Sequence, residues 1–358
     1  MTKRLHIQYH RKDDGRALYL YGWQAHDLEP LVPPAQPPYP PTAITPGTLN
    51  WHPLLETYVT TSPHRQNRTF RPELSDCPFC PSTADRLNEV PFADFDLAVF
   101  DNRFPAFVPA DQAIPFENPA LQPAQGKCEL VVYSADHQAT MGTLDDTRRA
   151  LLIEAWVHRY DTLLGLPDIQ FVLPFENRGE EIGATLSHPH GQIYALPFLP
   201  PVTATMAQSF KKDSKLLVKA FDKHRDLILD EEDGIIAFIP RFGQFSYEIW
   251  LAPREPRAGL WAFGQSERKA LARLLGKTAR AYDALFGQRM PYIMAVQSAP
   301  LRFEKTWHSH ITFQPFLRTA DKLKYIAGVE VTAGHYLKDV TAEEAYQKIK
   351  PLFDGDKA

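Results

Sequence analysis

Cysteine is scarce: three in 358 residues, an odd count too small for a disulfide framework. Reduced thiols, and with them the cytoplasm, are the expectation. Long apolar runs are missing too. The best stretch, "GIIAFIP" at 234–240, has strand length, far below the ~20 residues of a spanning helix, so no membrane is expected. The opening "MTKRLHIQYHRKDDGR" lacks the apolar core of a signal peptide. A basic excess is also absent. The formal charge of −4 argues against a nucleic-acid or anionic-membrane binder, though local arginines could still take an anionic small molecule.

Proline is over-supplied at 32 residues, many of them clustered in "LEPLVPPAQPPYPPTAITPG" (28–47). That composition predicts an extended arm, crossing the surface or packing on a neighbouring subunit. The expected division is an N-terminal arm over 1–50, one half over 51–200 and a second over 201–358. Chain length suffices for two such core-forming halves. In the first, "KCELVVYSADH" (127–137) reads as a strand. "TLDDTRRALLIEAWVHRYDTLLG" (143–165) reads as a capped helix with Leu151, Leu152, Ala155, Trp156 and Tyr160 at helical spacing. "DIQFVLPFENRG" is the next strand, followed by "GATLSHPHGQ". The second half repeats this order: strand 247–256, helix 263–287, strand 291–300, then "WHSHITFQPF". His308 and His310 stand 120 residues after His188 and His190. The expectation is an α+β chain built by internal duplication, with antiparallel sheets and flanking helices.

The first copy holds more chemistry. In extended chain, His188, His190 and Gln192 share one face. Pro189 places them at a strand end and Gly191 permits close approach. Two imidazoles and an amide suit a phosphoryl group: one imidazole attacks phosphorus while the amide N–H donates to a non-bridging oxygen. The second copy has Ile311 and Thr312 where the first has Gly191 and Gln192, which turns attention to residues 183–192. Upstream, "ENRGEEIGATLS" (176–187) offers glycines and hydroxyls suited to phosphate oxygens.

Cys77 and Cys80 form a C-x-x-C. A zinc half-site, an unmetallated turn and a redox pair all fit that spacing, and proline-rich flanks disfavour the redox reading. Zinc would need His137 and His188 to complete it, with Cys128 left as a structural thiol. Arg65 and Arg68 in "SPHRQNR" could clamp phosphates or decorate a loop. Lys324, Tyr325 and Glu330 in "DKLKYIAGVE" could be functional or merely exposed.

In order along the chain, "SPHRQNR", "CPFC", "VFDNRFPAF", "YSADH", "ENRG…GATLSHPHGQ", "HSH" and "LRTADKLKYIAGVE" resemble segments of the galactose-1-phosphate uridylyltransferases. These enzymes are a branch of the histidine-triad superfamily, and the likeness covers about residues 56–335. It implies a duplicated histidine-triad-like fold. It also implies a ping-pong transfer of UMP from UDP-glucose to galactose 1-phosphate, releasing glucose 1-phosphate and giving UDP-galactose. By that resemblance His190 is the nucleophile and Gln192 the phosphoryl-binding amide. Arg65 and Arg68 bind phosphate, Phe100 and Asn102 contact the nucleoside, and Asn177 and Thr185 line the phosphate site. Cys77, Cys80, His137 and His188 are the zinc set. Lys324, Tyr325 and Glu330 serve the sugar side from the other subunit of a homodimer.

Some departures accompany the likeness. A second metal site found in some members keeps two positions, His308 and His310. Its third falls on Gln297 and its glutamate on or near Met206, so that site is expected to be absent. Val329 replaces an aromatic sugar contact and Arg103 an acidic nucleoside contact. Two other readings remain open: an AMP-transferring relative such as an ADP-sugar or dinucleotide phosphorylase, and a catalytically silent nucleotide- or zinc-binding protein.

Overall fold

The computed structural model describes residues 4–26, 28–31, 47–67, 72–109 and 122–355. Most of the proline-rich stretch (32–46) and Arg68 lie outside the described residues. The chain divides into two compact units. The first takes residues up to 139, 154–174 and 188–205; the second takes 140–153, 175–187 and the chain from 206.

The strands of the first unit are β1 (His6–Arg11), β2 (Ala17–Gly22), β3 (Thr48–His52), β4 (Thr57–Thr61), β5 (Leu97–Asp101), β6 (Gln122–Pro123), β7 (Lys127–Val132), the first half of β8 (Phe171–Arg178), whose residues from 175 go with the second unit, and β9 (His190–Leu196). Within the stretch expected as an arm, β1 and β2 make a hairpin in the main sheet. That sheet runs β1-β2-β5-β7-β9-β8, while β4-β3-β6 form a small separate one. β9 shows why the sequence adopts this arrangement. Gly191, Ile193 and Ala195 are buried and alternate with half-buried His190, Gln192 and Tyr194, the period of a strand with one face on the core.

Helix α1 (Asp146–Leu164) follows β7 in the chain. Asp145 caps it by accepting the Arg148 amide at 2.7 Å. Its buried stripe includes Ala155, Trp156, Tyr160 and Leu163, joined by Arg159. Arg159 forms a bidentate pair with Glu129 of β7 (2.9 and 2.6 Å) and lies over the Tyr19 ring at 4.2 Å. Glu129 is in register with Ile193, so this buried pair occupies the sheet face opposite His190 and Gln192.

The second unit contains most of α2 (Pro201–Lys212), then α3 (Leu216–Lys223), β10 (Ile228–Glu232), β11 (Ile235–Phe238), β12 (Ile249–Pro253), α4 (Gln265–Leu285), β13 (Tyr292–Gln297), β14 (His310–Pro315), β15 (Leu317–Thr319), β16 (Lys322–Leu323), α5 (Gly328–Ala333) and α6 (Ala342–Gly355). Glu267 closes the start of α4 by accepting the Gly264 amide at 2.6 Å. Its inner face buries Leu271, Leu274, Leu275, Thr278 and Tyr282.

The duplication is visible in the wiring. The spatial order β2-β5-β7-β9-β8 in one unit matches β10-β11-β12-β14-β13 in the other. In each, a long helix follows the third strand, and the last two strands exchange places. The first unit alone inserts β3, β4 and the Cys77–Cys80 segment between its first two matched strands. The architecture is α+β with antiparallel ladders and flanking helices.

Candidate functional site

The ladder of β9 starts at His190, not at His188. The shared face expected for an extended segment holds its strand geometry from His190 onward, and His188 lies before the strand. Pro189 has no amide to donate, and its carbonyl accepts the Tyr133 amide at 3.1 Å. This turns the two histidines to different tasks.

His188 is buried. Its Nε2–H donates to the Ser134 carbonyl at 2.8 Å, which leaves the Nδ1 lone pair facing a cluster. Nδ1 lies 3.8 Å from Cys77 Sγ, 3.7 Å from Cys80 Sγ and 3.3 Å from His137 Nδ1; Cys80 Sγ to His137 Nδ1 is 3.4 Å. All four ligand atoms fall within 4.8 Å of one another, the one such group among the described residues. A tetrahedral zinc with bonds of about 2.3 Å to sulfur and 2.0 Å to nitrogen has edges of roughly 3.3–3.8 Å, and the measured separations match. Burial and the neighbouring Cys77 push the Cys80 thiol up to about 12. A cation is what would hold these sulfurs as thiolates, so the residues fit the metal.

His190 uses its Nδ1–H on the His188 carbonyl at 2.8 Å. Its tautomer is thereby fixed, with the Nε2 lone pair outward on the half-buried face that also carries Gln192. Burial holds the ring below the usual histidine range, in the neutral form. Phe79, next to Cys80 within the C-x-x-C, packs on it edge-on, with centroids 5.1 Å apart, and also approaches His188 at 6.2 Å. The sequence reading missed Phe79. It missed Tyr194 too, although the two-residue period that joined His190 to Gln192 extends to it.

Arg65 sits in a short 3₁₀ turn (Pro63–Asn67) whose His64 is buried and donates from Nε2 to the Pro105 carbonyl at 2.7 Å. Arg65 Nη1 donates to the Tyr194 hydroxyl at 2.9 Å. Phe100 is fully buried in β5, edge-on to Phe79 at 5.8 Å. Asn102 opens the following loop, its Oδ1 accepting the Phe104 amide at 2.9 Å. Cysteines, histidines, Gln192, Arg65, Phe100 and Asn102 thus belong to the first unit.

Asn177, Thr185, Lys324, Tyr325 and Glu330 belong to the second. Asn177 is half-buried on β8, in register with Ile293, and Thr185 lies in the loop that follows. Lys324 and Glu330 are buried and bonded to each other, with Lys324 also reaching the Leu337 carbonyl at 2.7 Å. The Lys324 contact holds the Glu330 carboxyl down to about 2. Its other oxygen accepts the Ala327 amide at the start of α5 (2.9 Å). Tyr325 is 76 % exposed.

The histidine pair of the second unit repeats the backbone bonds and not the surroundings. His308 donates to the Pro253 carbonyl at 2.7 Å, and His310 Nδ1 to the His308 carbonyl at 2.9 Å. Trp250 stacks on His310 at 4.7 Å with 4° between planes, and Trp307 lies beyond. Burial pushes His310 down to about 4. In the unfolded chain it titrates near 6.5, so protons favour unfolding below that pH and the neutral ring costs nothing above it. Stability is expected to fall by about 1.4 kcal/mol per pH unit from this residue between pH 6.5 and about 4. His310→Phe should flatten that limb in urea titrations at pH 6.5 and 5. An unchanged slope would show that the ring takes up its proton in the fold.

The family profile "Galactose-1-phosphate uridyl transferase, N-terminal domain" matches residues 47–200, and the C-terminal domain profile matches 204–357. The galactose-1-phosphate uridylyltransferase of Thermotoga maritima is 31% identical over 316 residues, covering 84% of this chain and 97% of that protein. The one from Streptomyces lividans is 30% identical over 371 residues, with 96% and 97% covered. A solved structure described as uridylyltransferase superposes with a TM-score of 0.76 at 26% identity, over 87% of this chain and all of the other. Two matched domains and relatives aligned almost end to end leave one conclusion: the chain belongs to the galactose-1-phosphate uridylyltransferase family.

Proposed function

We propose that the protein moves UMP from UDP-glucose to galactose 1-phosphate in two displacements at His190. In the first, the Nε2 lone pair attacks the α-phosphorus. The bond to the glucose 1-phosphate oxygen breaks, and a uridylyl-imidazole is left on the enzyme. In the second, a phosphate oxygen of galactose 1-phosphate attacks that phosphorus, releasing neutral His190 and UDP-galactose. The observation that carries this reading is the fixed tautomer: Nδ1 is committed to the His188 carbonyl, so Nε2 is the nucleophilic atom. As Nε2 bonds phosphorus the ring becomes cationic, and the same carbonyl accepts from the more acidic Nδ1–H.

Gln192, on the same strand face, donates its amide N–H to a non-bridging oxygen. Arg65 and Arg68 neutralise substrate phosphate, with Asn177 and Thr185 beside it. Phe100 and Asn102 hold the nucleoside, and Lys324, Tyr325 and Glu330 the hexose. Zinc on Cys77, Cys80, His137 and His188 would supply a rigid anchor for the His188 backbone, and through it for His190. A cytoplasmic homodimer completes the reading, with the segment bearing Tyr325, Val329, Val331 and Leu337 as the exposed apolar surface that supports exchange between subunits. Among the described residues no helix is long and apolar enough to cross a membrane.

Intact-protein mass spectrometry after mixing with UDP-glucose tests the reaction. A gain of one UMP, reversed by galactose 1-phosphate, is expected. An adduct from ADP-glucose alone would move the protein to AMP transfer, and absence of any adduct in folded, metal-loaded protein would leave a binding function.

A further inference from the structure

We infer that Tyr194 is a positioning residue of the transfer, its hydroxyl holding Arg65 over the strand face that carries His190 and Gln192. The inference rests on the proposed uridylyl transfer and adds a residue to its machinery.

Three observations carry it. First, β9 places His190, Gln192 and Tyr194 at i, i+2 and i+4, all half-buried, while Gly191, Ile193 and Ala195 between them are buried. Tyr194 therefore stands on the same side of the sheet as the nucleophile, about 13 Å further along the strand at ~3.3 Å per residue. Second, Arg65 Nη1 donates to the Tyr194 hydroxyl at 2.9 Å, which brings the guanidinium to that side. Third, the turn bearing Arg65 is itself fixed: the buried His64 ring donates to the Pro105 carbonyl, and Arg65 Nη1 also lies 3.5 Å from the Phe104 carbonyl. The backbone of Arg65 is thus set by the nucleoside-side loop and its charged end by the catalytic strand.

The chemistry follows from guanidinium geometry. Nη1 is shared between the Tyr194 hydroxyl and the Phe104 carbonyl, and the planar guanidinium so held is a charge of the kind that suits phosphate oxygens. An arginine on a flexible stem loses rotamer entropy when it engages a phosphate, and a hydroxyl that pre-sets its head lowers that loss. The ring of Tyr194 is packed separately, 6.1 Å from Phe107, in a core cluster with Leu49, Ala106, Cys128 and Leu196. Removing the hydroxyl while keeping the ring therefore separates positioning from packing.

The test is Tyr194→Phe, followed through the rate of UMP-adduct formation from UDP-glucose in pre-steady-state quench experiments. The expected result is about a tenfold slower adduct rate per unit UDP-glucose, the scale of one hydrogen bond to a charged group. Zinc content and melting temperature should stay unchanged. Arg65→Ala should be slower still, and adding Tyr194→Phe to it should cost nothing more, because the hydroxyl acts through the arginine. A wild-type adduct rate in Tyr194→Phe would overturn the inference and leave the transfer reading intact. So would an equal loss in the presence and absence of Arg65. No adduct in the wild-type protein would overturn both.

Discussion

Replacing His190 by alanine is expected to lower turnover by at least about 10⁴-fold and to abolish the covalent adduct, since the proposed phosphorus–nitrogen bond forms at its Nε2. The size of the effect follows from how completely the site commits this ring. Its Nδ1–H is bound to the His188 carbonyl, Phe79 packs against it, and burial keeps it neutral. None of this could be transferred to a neighbouring side chain. Gln192, two residues on, offers an amide and no nucleophilic lone pair. His188 has both ring nitrogens committed, one to Ser134 and the other toward the sulfur cluster. Water could attack the α-phosphorus in the cavity His190 leaves, but that yields hydrolysis and no UDP-galactose. The check is steady-state transfer from UDP-glucose to galactose 1-phosphate alongside intact mass. Nucleotide affinity of the variant should stay within a few-fold of wild type, because its binding groups remain. Turnover above about 1% of wild type, or an adduct that persists, would place the nucleophile elsewhere.

Much of this site was readable from sequence for a physical reason: strand and helix periods are short-range. The stripe on α1 and the cap before it are set within four residues, and the matched His-x-His pairs survive in each unit because the same two backbone bonds hold them. What the sequence hid depends on contacts across the chain. His188 lies before the β9 ladder, and the Pro189 carbonyl beside it accepts the amide of Tyr133, a residue 56 positions earlier. Arg65 and Tyr194 are 129 residues apart, and nothing local announces that they meet. Lys324 and Glu330 are close in sequence, yet their burial as a mutual pair is closed by the Leu337 carbonyl, which only a folded turn supplies. The division between units was illegible for the same reason. Residues 140–153 and 175–187 go with the second unit, and the end of β8 finds its partner in β13.

Removing the sulfur ligands is the second large perturbation. Cys77→Ala together with Cys80→Ala should lower zinc content from one per chain to none. It should also reduce the melting temperature by about 10 °C or more and slow adduct formation by over tenfold. Two imidazoles and two thiols, with Cys77 and His188 buried and Cys80 and His137 half-buried, have little reason to converge without a cation, since burial disfavours the charged forms of the Cys80 thiol and the His188 ring. The stability term arises because the Cys77–Cys80 segment is part of an insertion between β2 and β5, with short irregular structure and, among the described residues 72–96, no long helix or strand to anchor it. A metal on the four residues would tie it to His137 after β7 and to His188 before β9 and so close that loop. The rate term arises because His188 supplies the carbonyl that fixes the His190 tautomer, so loosening one ring reorients the other. Phe79 transmits the same disturbance, being carried between the two cysteines and packed on both histidines. Cys128→Ala is the control. That thiol is buried in the core away from the cluster, and its loss should leave zinc content unchanged. Full zinc occupancy in the double variant, or unaltered stability after zinc is lost, would show that the four residues meet for packing alone. Loss of stability with the adduct rate unchanged would instead show that Ser134 and the β9 ladder suffice to hold His190 without the metal.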